Sequence, residues 1–178
     1  MGVYVSDNNG KLIKVSGLKK SGESLVLDHT FTTTAKEFTV SDLDIVKDGG
    51  VYDIVITSPR VSFSGNFKFR INGVSSSASY VQSFLTAENA QAIVSQQSTG
   101  TSAYLGTFSS DDNISEMTLT LSSNNVPMWH IQSVGYAGSL YYQIFYGYSV
   151  AASNITSLTI LSDSNVPAGL NIKIFRRV

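Results

Sequence analysis

The sequence predicts an all-β chain, an antiparallel β-sandwich or barrel, and three observations point there. Short segments of alternating apolar and polar residues recur at spacings of about 8 to 12 residues, with turn signals between them. Charged residues make up only 14% of the 178 residues, and 28 Ser and 14 Thr fill the surface instead, which suits the wet faces of strands. No long segment combines Ala, Glu, Lys and Leu, so no amphipathic helices separate the strands into βαβ units.

In chain order, Val3 to Val5 and Leu12 to Val15 flank Asp7-Asn8-Asn9-Gly10, and Asn-Gly between apolar runs signals a hairpin. Gly17 to Gly22 reads as a basic, glycine-bounded linker. Residues 1–22 are therefore expected to be an arm and linker, and residues 23–178 the sandwich. Ser24 to Asp28 and Glu37 to Val40 are short strand candidates. Leu43 and Ile45 alternate with Asp42 and Asp44 as on a strand, leading into a turn at Asp48-Gly49-Gly50. Val51 to Ile56 places Tyr52, Ile54 and Ile56 on one face. Phe63, Phe67, Phe69 and Ile71 fit a strand with inward aromatics, ended by Asn72-Gly73. A serine-rich loop precedes a strand at Tyr80 to Leu85. Thr86 to Gln97 reads either as a short helix from Ala87-Glu88-Asn89-Ala90-Gln91-Ala92 or as a strand at Ala92 to Ser95. Tyr104 to Phe108, Met117 to Leu121, Met128 to Val134, Leu140 to Tyr148, Ile155 to Leu161 and Leu170 to Phe175 complete the set. Met117, Leu119 and Leu121 are expected inward, as are Leu170, Ile172 and Ile174.

The composition narrows the function classes. With no cysteine, disulfides, thiolate metal sites and Cys nucleophiles are excluded. The N-terminus has no basic region followed by an apolar run, so no signal peptide is expected, and no apolar run is long enough for a membrane-spanning helix. Net charge is −1, yet every Lys and Arg lies before Ile71 or after Ile172. The long middle cannot supply the clustered cations that hold a polyanion, so neither nucleic-acid binding nor membrane insertion is expected.

The search for catalysis finds little. There is no Gly-x-Ser-x-Gly elbow. His29 and His130 are the only imidazoles, the latter inside a strand, and both read as structural. Asp111 and Asp112 sit in a turn, where carboxylates fix backbone geometry. Asp42, Asp44 and Asp48 crowd one segment, but an EF-hand would need a third ligand at Val46. No catalytic residue, metal or cofactor is expected, and the chain is read as a non-enzyme. The enriched chemistry is aromatic. Trp129, Tyr136, Tyr141, Tyr142, Phe145 and Tyr146, with Tyr148, gather in the two strands after Pro127. Alternation puts Tyr142, Ile144, Tyr146 and Tyr148 on one face and Tyr141, Gln143 and Phe145 on the other. Large aromatics on both faces suit burial on both sides, contact with a second subunit, or stacking on sugar rings.

The C-terminal stretch Asn154-Ile155-Thr156-Ser157-Leu158-Thr159-Ile160, a polar turn, and Ala168-Gly169-Leu170-Asn171-Ile172-Lys173-Ile174-Phe175-Arg176 resembles the ending of bacteriophage virion surface domains. Asp48-Gly49-Gly50-Val51-Tyr52-Asp53-Ile54 is similar to the first core strand of such domains, and Val3 to Gly17 to the leaders of phage fibre and tail proteins. The resemblance implies a jelly-roll-like sandwich, commonly trimeric, on a tail fibre, head fibre or capsid surface, without catalytic residues. The chain has no long repetitive shaft. A small knob on the virion surface is expected, held to other virion proteins through Val3, Tyr4, Val5, Leu12, Ile13 and Val15 of the arm. The alternative expectation is a carbohydrate- or host-receptor-binding module reading a host surface glycan through the aromatics.

Overall fold

The computed structural model describes residues 4–6, 12–14, 23–58, 65–88, 94–108, 113–136 and 140–177, and only the backbone of 4–6, 12–14, 88, 94–97, 108, 136 and 140–141. All regular structure among them is β, and every paired strand is antiparallel. β1 (Tyr4–Ser6) and β2 (Leu12–Lys14) form a two-stranded sheet with Val5 opposite Ile13. The other strands are β3 (Glu23–Thr30), β4 (Ala35–Val40), β5 (Val51–Ser58), β6 (Gly65–Ile71), β7 (Tyr80–Glu88) and β8 (Val94–Gly100), followed by β9 (Ala103–Phe108), β10 (Asn113–Leu121), β11 (Pro127–Tyr136), β12 (Leu140–Ser149), β13 (Leu158–Val166) and β14 (Asn171–Arg177). They make an eight-stranded sheet in the order β3-β14-β5-β10-β11-β12-β7-β8 and a four-stranded sheet in the order β4-β13-β6-β9.

The two sheets pack face to face as a sandwich, and the chain crosses between them repeatedly. β3, β5, β7–β8, β10–β11–β12 and β14 belong to the broad sheet; β4, β6, β9 and β13 alternate with them in the narrow one. Period-2 patterning decides which residues fill the gap. Tyr52, Ile54 and Ile56 of β5, Met117 and Leu119 of β10, and Ile172 and Ile174 of β14 are buried from one side. Phe67, Phe69 and Ile71 of β6 and Leu158 and Ile160 of β13 are buried from the other. Burying each such side chain fully contributes about 1.5 to 3 kcal/mol. The inward faces expected for β5, β6, β10 and β14 are the observed ones; Leu121 is half-buried against the core, and Phe63 lies outside the described residues.

The narrow sheet ends at β9, whose free edge lies over the broad sheet. Inward polar side chains of the broad sheet satisfy its backbone there. Gln82 donates to the Tyr104 carbonyl and accepts from the Tyr104 N–H, both at 2.8 Å. Gln143 accepts from the Thr107 N–H at 2.9 Å, and the Ser115 hydroxyl donates to the Leu105 carbonyl at 3.0 Å. Gln82 and Ser115 are buried despite their polarity.

Two local expectations are corrected. Leu43 to Val46 forms no strand; the chain turns over residues 45–49, where the Asp48 N–H bonds the Asp44 carbonyl at 2.8 Å and the Gly50 N–H the Ile45 carbonyl at 2.7 Å. Leu43 and Ile45 are nevertheless buried, so a chain folding over the end of the sandwich produces the same alternation as a strand. The helical reading of Thr86 to Gln97 fails where the residues are described. Thr86 to Glu88 continue β7 and Val94 starts β8, with Thr86 opposite Val94; residues 89–93 lie outside the described residues. Pairing on both sides of β7 outweighs the modest helix preference of Ala and Glu.

Candidate functional site

The aromatic strand β12 lies between β11 and β7 in the broad sheet. Its alternation sends Phe145 inward, 3% exposed and against Phe84 at 5.7 Å between ring centroids. Tyr142, Tyr146 and Tyr148 point outward, at 38%, 51% and 50% exposure. On β11, Trp129 and Ile131 are buried in the core, so Met128, His130, Gln132 and Val134 stand on the outer side. The register pairs Met128 with Tyr148, His130 with Tyr146, Gln132 with Ile144 and Val134 with Tyr142. His130 stacks on Tyr146 at 4.6 Å and 17°. On the other flank, Val81, Ser83, Leu85 and Ala87 of β7 lie opposite Tyr148, Tyr146, Ile144 and Tyr142. Leu85, Thr86, Ala87, Tyr142 and Ile144 line a shallow apolar depression.

The candidate aromatics therefore divide. Tyr142 and Tyr146 form an outer face together with Tyr148. Trp129 and Phe145 belong to the core and present no surface to a ligand, which corrects their place in that set. Trp129 meets Phe69 of the narrow sheet edge-on at 5.0 Å and Tyr80 at 6.0 Å. It lies over Gly147, its cross-strand partner, where any Cβ would collide with the indole and with the Val81 carbonyl. The glycine is thus the condition for placing a tryptophan here. The side chains of Tyr136 and Tyr141 lie outside the described residues, as do Val3 and Val15 entirely and the side chains of Tyr4, Val5, Leu12 and Ile13. Met128 and His130 join the outer face without having been singled out for it; the signal was their alternation with Trp129.

Neither imidazole has the surroundings of a catalytic base. His29 stacks on Phe38 at 4.1 Å and meets Phe31 edge-on, while its neighbour Asp28 is taken by Asn171 and Lys173. His130 Nε2 is buried with no hydrogen-bond partner, as is Trp129 Nε1. A base needs an oriented proton path, and Nε2 of this stacked ring has none.

The acidic segment is occupied by its own protein partners. Asp44 Oδ1 accepts from the Lys47 N–H at 3.0 Å and Asn154 Nδ2 at 2.8 Å. Asp48 accepts from the Tyr52 hydroxyl at 2.6 Å and Arg176 at 2.8 Å. The Tyr52 hydroxyl in turn accepts from the Asp44 N–H at 2.9 Å. Hydrogen bonds from Tyr52 and then Arg176 hold the Asp48 carboxyl below its ordinary value, while burial and then Asp48 push the Tyr52 phenol up. Asp42 is exposed and lies in the left-handed region. No group of three metal-ligating side chains occurs among the described residues, and Asp111 and Asp112 lie outside them. The arrangement is a structural clamp joining the 42–50 turn to Asn154 and the last strand. Searches of family models, of curated proteins and of solved structures found no match to this chain.

Proposed function

We propose that this chain is a non-enzymatic structural protein of a bacteriophage particle, a surface knob of the capsid-decoration, head-fibre or tail-associated kind, attached through its N-terminal arm. The observation that carries the reading is the strand order. β3-β14-β5-β10 in one sheet and β4-β13-β6-β9 in the other is a strand order that supports reading the sandwich as a jelly roll of two Greek keys. β7–β8 and β11–β12 are then insertions that widen one sheet. The two C-terminal stretches that resemble phage virion domains lead into β13 and β14, interior strands of the narrow and the broad sheet; β13 starts at Leu158 and not at Ile155, the residues before it running outside any strand. The arm is read as the attachment element because, among the described residues, β1 and β2 pair with each other and with no strand of the sandwich, and so small a hairpin adds little to the core. Trimeric assembly and a virion-surface location come with this reading.

The test is deletion of residues 1–22. The shortened chain is expected to keep its far-UV circular dichroism and melt within a few degrees of the full chain (a change below about 1 kcal/mol), while no longer co-purifying with phage particles. An armless protein that still co-purifies overturns the attachment reading. The alternative, a module reading host glycans or receptors, is favoured only by the exposed tyrosines, since Trp129 and Phe145 lie in the core.

A further inference from the structure

Charge is segregated across the broad sheet. β3, β14, β5 and β10 carry Glu23, Asp28, Lys173, Arg176, Arg177, Asp53 and Glu116, several of them paired: Lys173 with Asp28 at 3.1 Å and Arg177 with Asp53 at 2.5 Å. The four strands beyond them differ. β11, β12 and β8 contain no Asp, Glu, Lys or Arg, and β7 contains one, Glu88, at its last position. The outer side of this uncharged half displays Tyr142, Tyr146, Tyr148 and Met128, each between 38% and 51% exposed. Half-exposed tyrosines contribute on the order of 100 Å² each, so the three alone approach the largest apolar patch of an ordinary monomer.

We infer that this face, the outer side of β11, β12 and β7, is a contact between copies of this chain. Two copies meeting through one patch bring like residues together, so a charged patch repels itself. This one carries no formal charge among its described residues, and its tyrosine hydroxyls both donate and accept. Its chemistry is that of an interface centre: tyrosine and methionine enriched, charge depleted. Three strands about 4.8 Å apart, each about 30 Å long, span roughly 430 Å² in plan. The corrugated side-chain surface exceeds that, which puts the contact at the small end of specific interfaces, below the roughly 800 Å² per partner of the standard size. The depression beside Tyr142 offers a seat for a partner's side chain. A sugar suits the face less well. Tyr146 already spends one ring face on His130, and aliphatic groups line most of the depression. The inference gives a surface to the oligomeric assembly named in that reading, while attachment through the arm does not require it; a monomer would overturn this contact and the trimer together and leave the arm-deletion test to decide attachment.

The experiment is the solution mass of the full chain, by light scattering after gel filtration, over a wide concentration range and at low and high salt. The expected result is a multiple of the protomer mass, insensitive to salt because no ion pair is involved. Tyr142→Glu and Tyr146→Glu should each weaken association by at least about tenfold, and together give a monomer of unchanged circular dichroism. Val46→Glu, at a 61% exposed position in the 42–50 turn, should leave the mass unaltered. A wild-type monomer at every concentration overturns the inference. An oligomer of undiminished mass in the double variant also overturns it, and assigns association to another surface such as the free edge of β8.

Discussion

At the scale of single residues, the most consequential hydrogen bond is the one from Tyr52 to Asp48. The Tyr52 ring is fully buried, and its hydroxyl donates its proton to the Asp48 carboxylate. Asp48→Ala strands that hydroxyl and releases Arg176, so a loss of about 1 to 3 kcal/mol is expected by urea denaturation. The pH dependence has a definite sign. A carboxyl whose folded pKa lies below its unfolded value stabilises the fold fully above the unfolded value, near about 4. That contribution is lost as pH falls from there through the lower folded value. The stability gap between the native chain and Asp48→Asn should therefore be constant around about pH 6 and narrow toward about pH 3. A gap that stayed constant down to that pH would mean that Asp48 is held no differently in the folded chain than in the unfolded one. Asp44 and Asp28 are also held below the ordinary carboxylate value by hydrogen bonds, from the Lys47 backbone and Asn154 and from Asn171 and Lys173 respectively, so the comparison with the single variant is what isolates Asp48.

At the scale of elements, position in the sheet decides how much a strand tolerates. β13 is paired on both sides, Thr159 lying between Thr39 and Arg70, and Thr159 is buried. β8 pairs only with β7. Proline at Thr159 should cost about 3 kcal/mol or more and prevent folding, whereas proline at the exposed Thr99 of β8 should leave a folded chain; thermal melts of the two variants check this. The same distinction explains what the sequence made legible. β5, β10 and β14 have one dry face each, so Tyr52-Ile54-Ile56, Met117-Leu119 and Ile172-Ile174 announce themselves by period 2. β8, Val-Ser-Gln-Gln-Ser-Thr-Gly, is an edge strand without such a face and is poorly marked. Leu43 and Ile45 show the converse error, burial with alternation but no strand. For the candidate site, alternation separates Phe145 from Tyr142, Tyr146 and Tyr148 correctly, but period 2 does not say which face meets the core. That depends on where the narrow sheet lies, and hence on pairings between residues more than a hundred positions apart.

For the whole molecule, β3, the first strand of the sandwich, pairs with β14, the last, and β14 then joins β5. The broad sheet is therefore incomplete until nearly the whole chain has been gathered, and loop closure must precede most of the stabilising contacts. Buried residues from both sheets form one continuous core, reaching from Ile172 on β14 through Leu119 on β10 to Trp129 and Phe145, so β11 and β12 share the core of the other strands. Unfolding should then be a single cooperative event, and folding should fall in the millisecond-to-second range of all-β domains. Trp129 is the only tryptophan, and it lies against Phe69 of the opposite sheet, so its fluorescence reports sheet-on-sheet packing while far-UV circular dichroism reports the strands. In urea, at a protein concentration low enough that association does not shift the midpoint, the two signals should change together. A tryptophan transition preceding the loss of strand signal would mean that β11, β12, β7 and β8 separate from the narrow sheet first. In that case the uncharged half of the broad sheet would be a distinct folding unit.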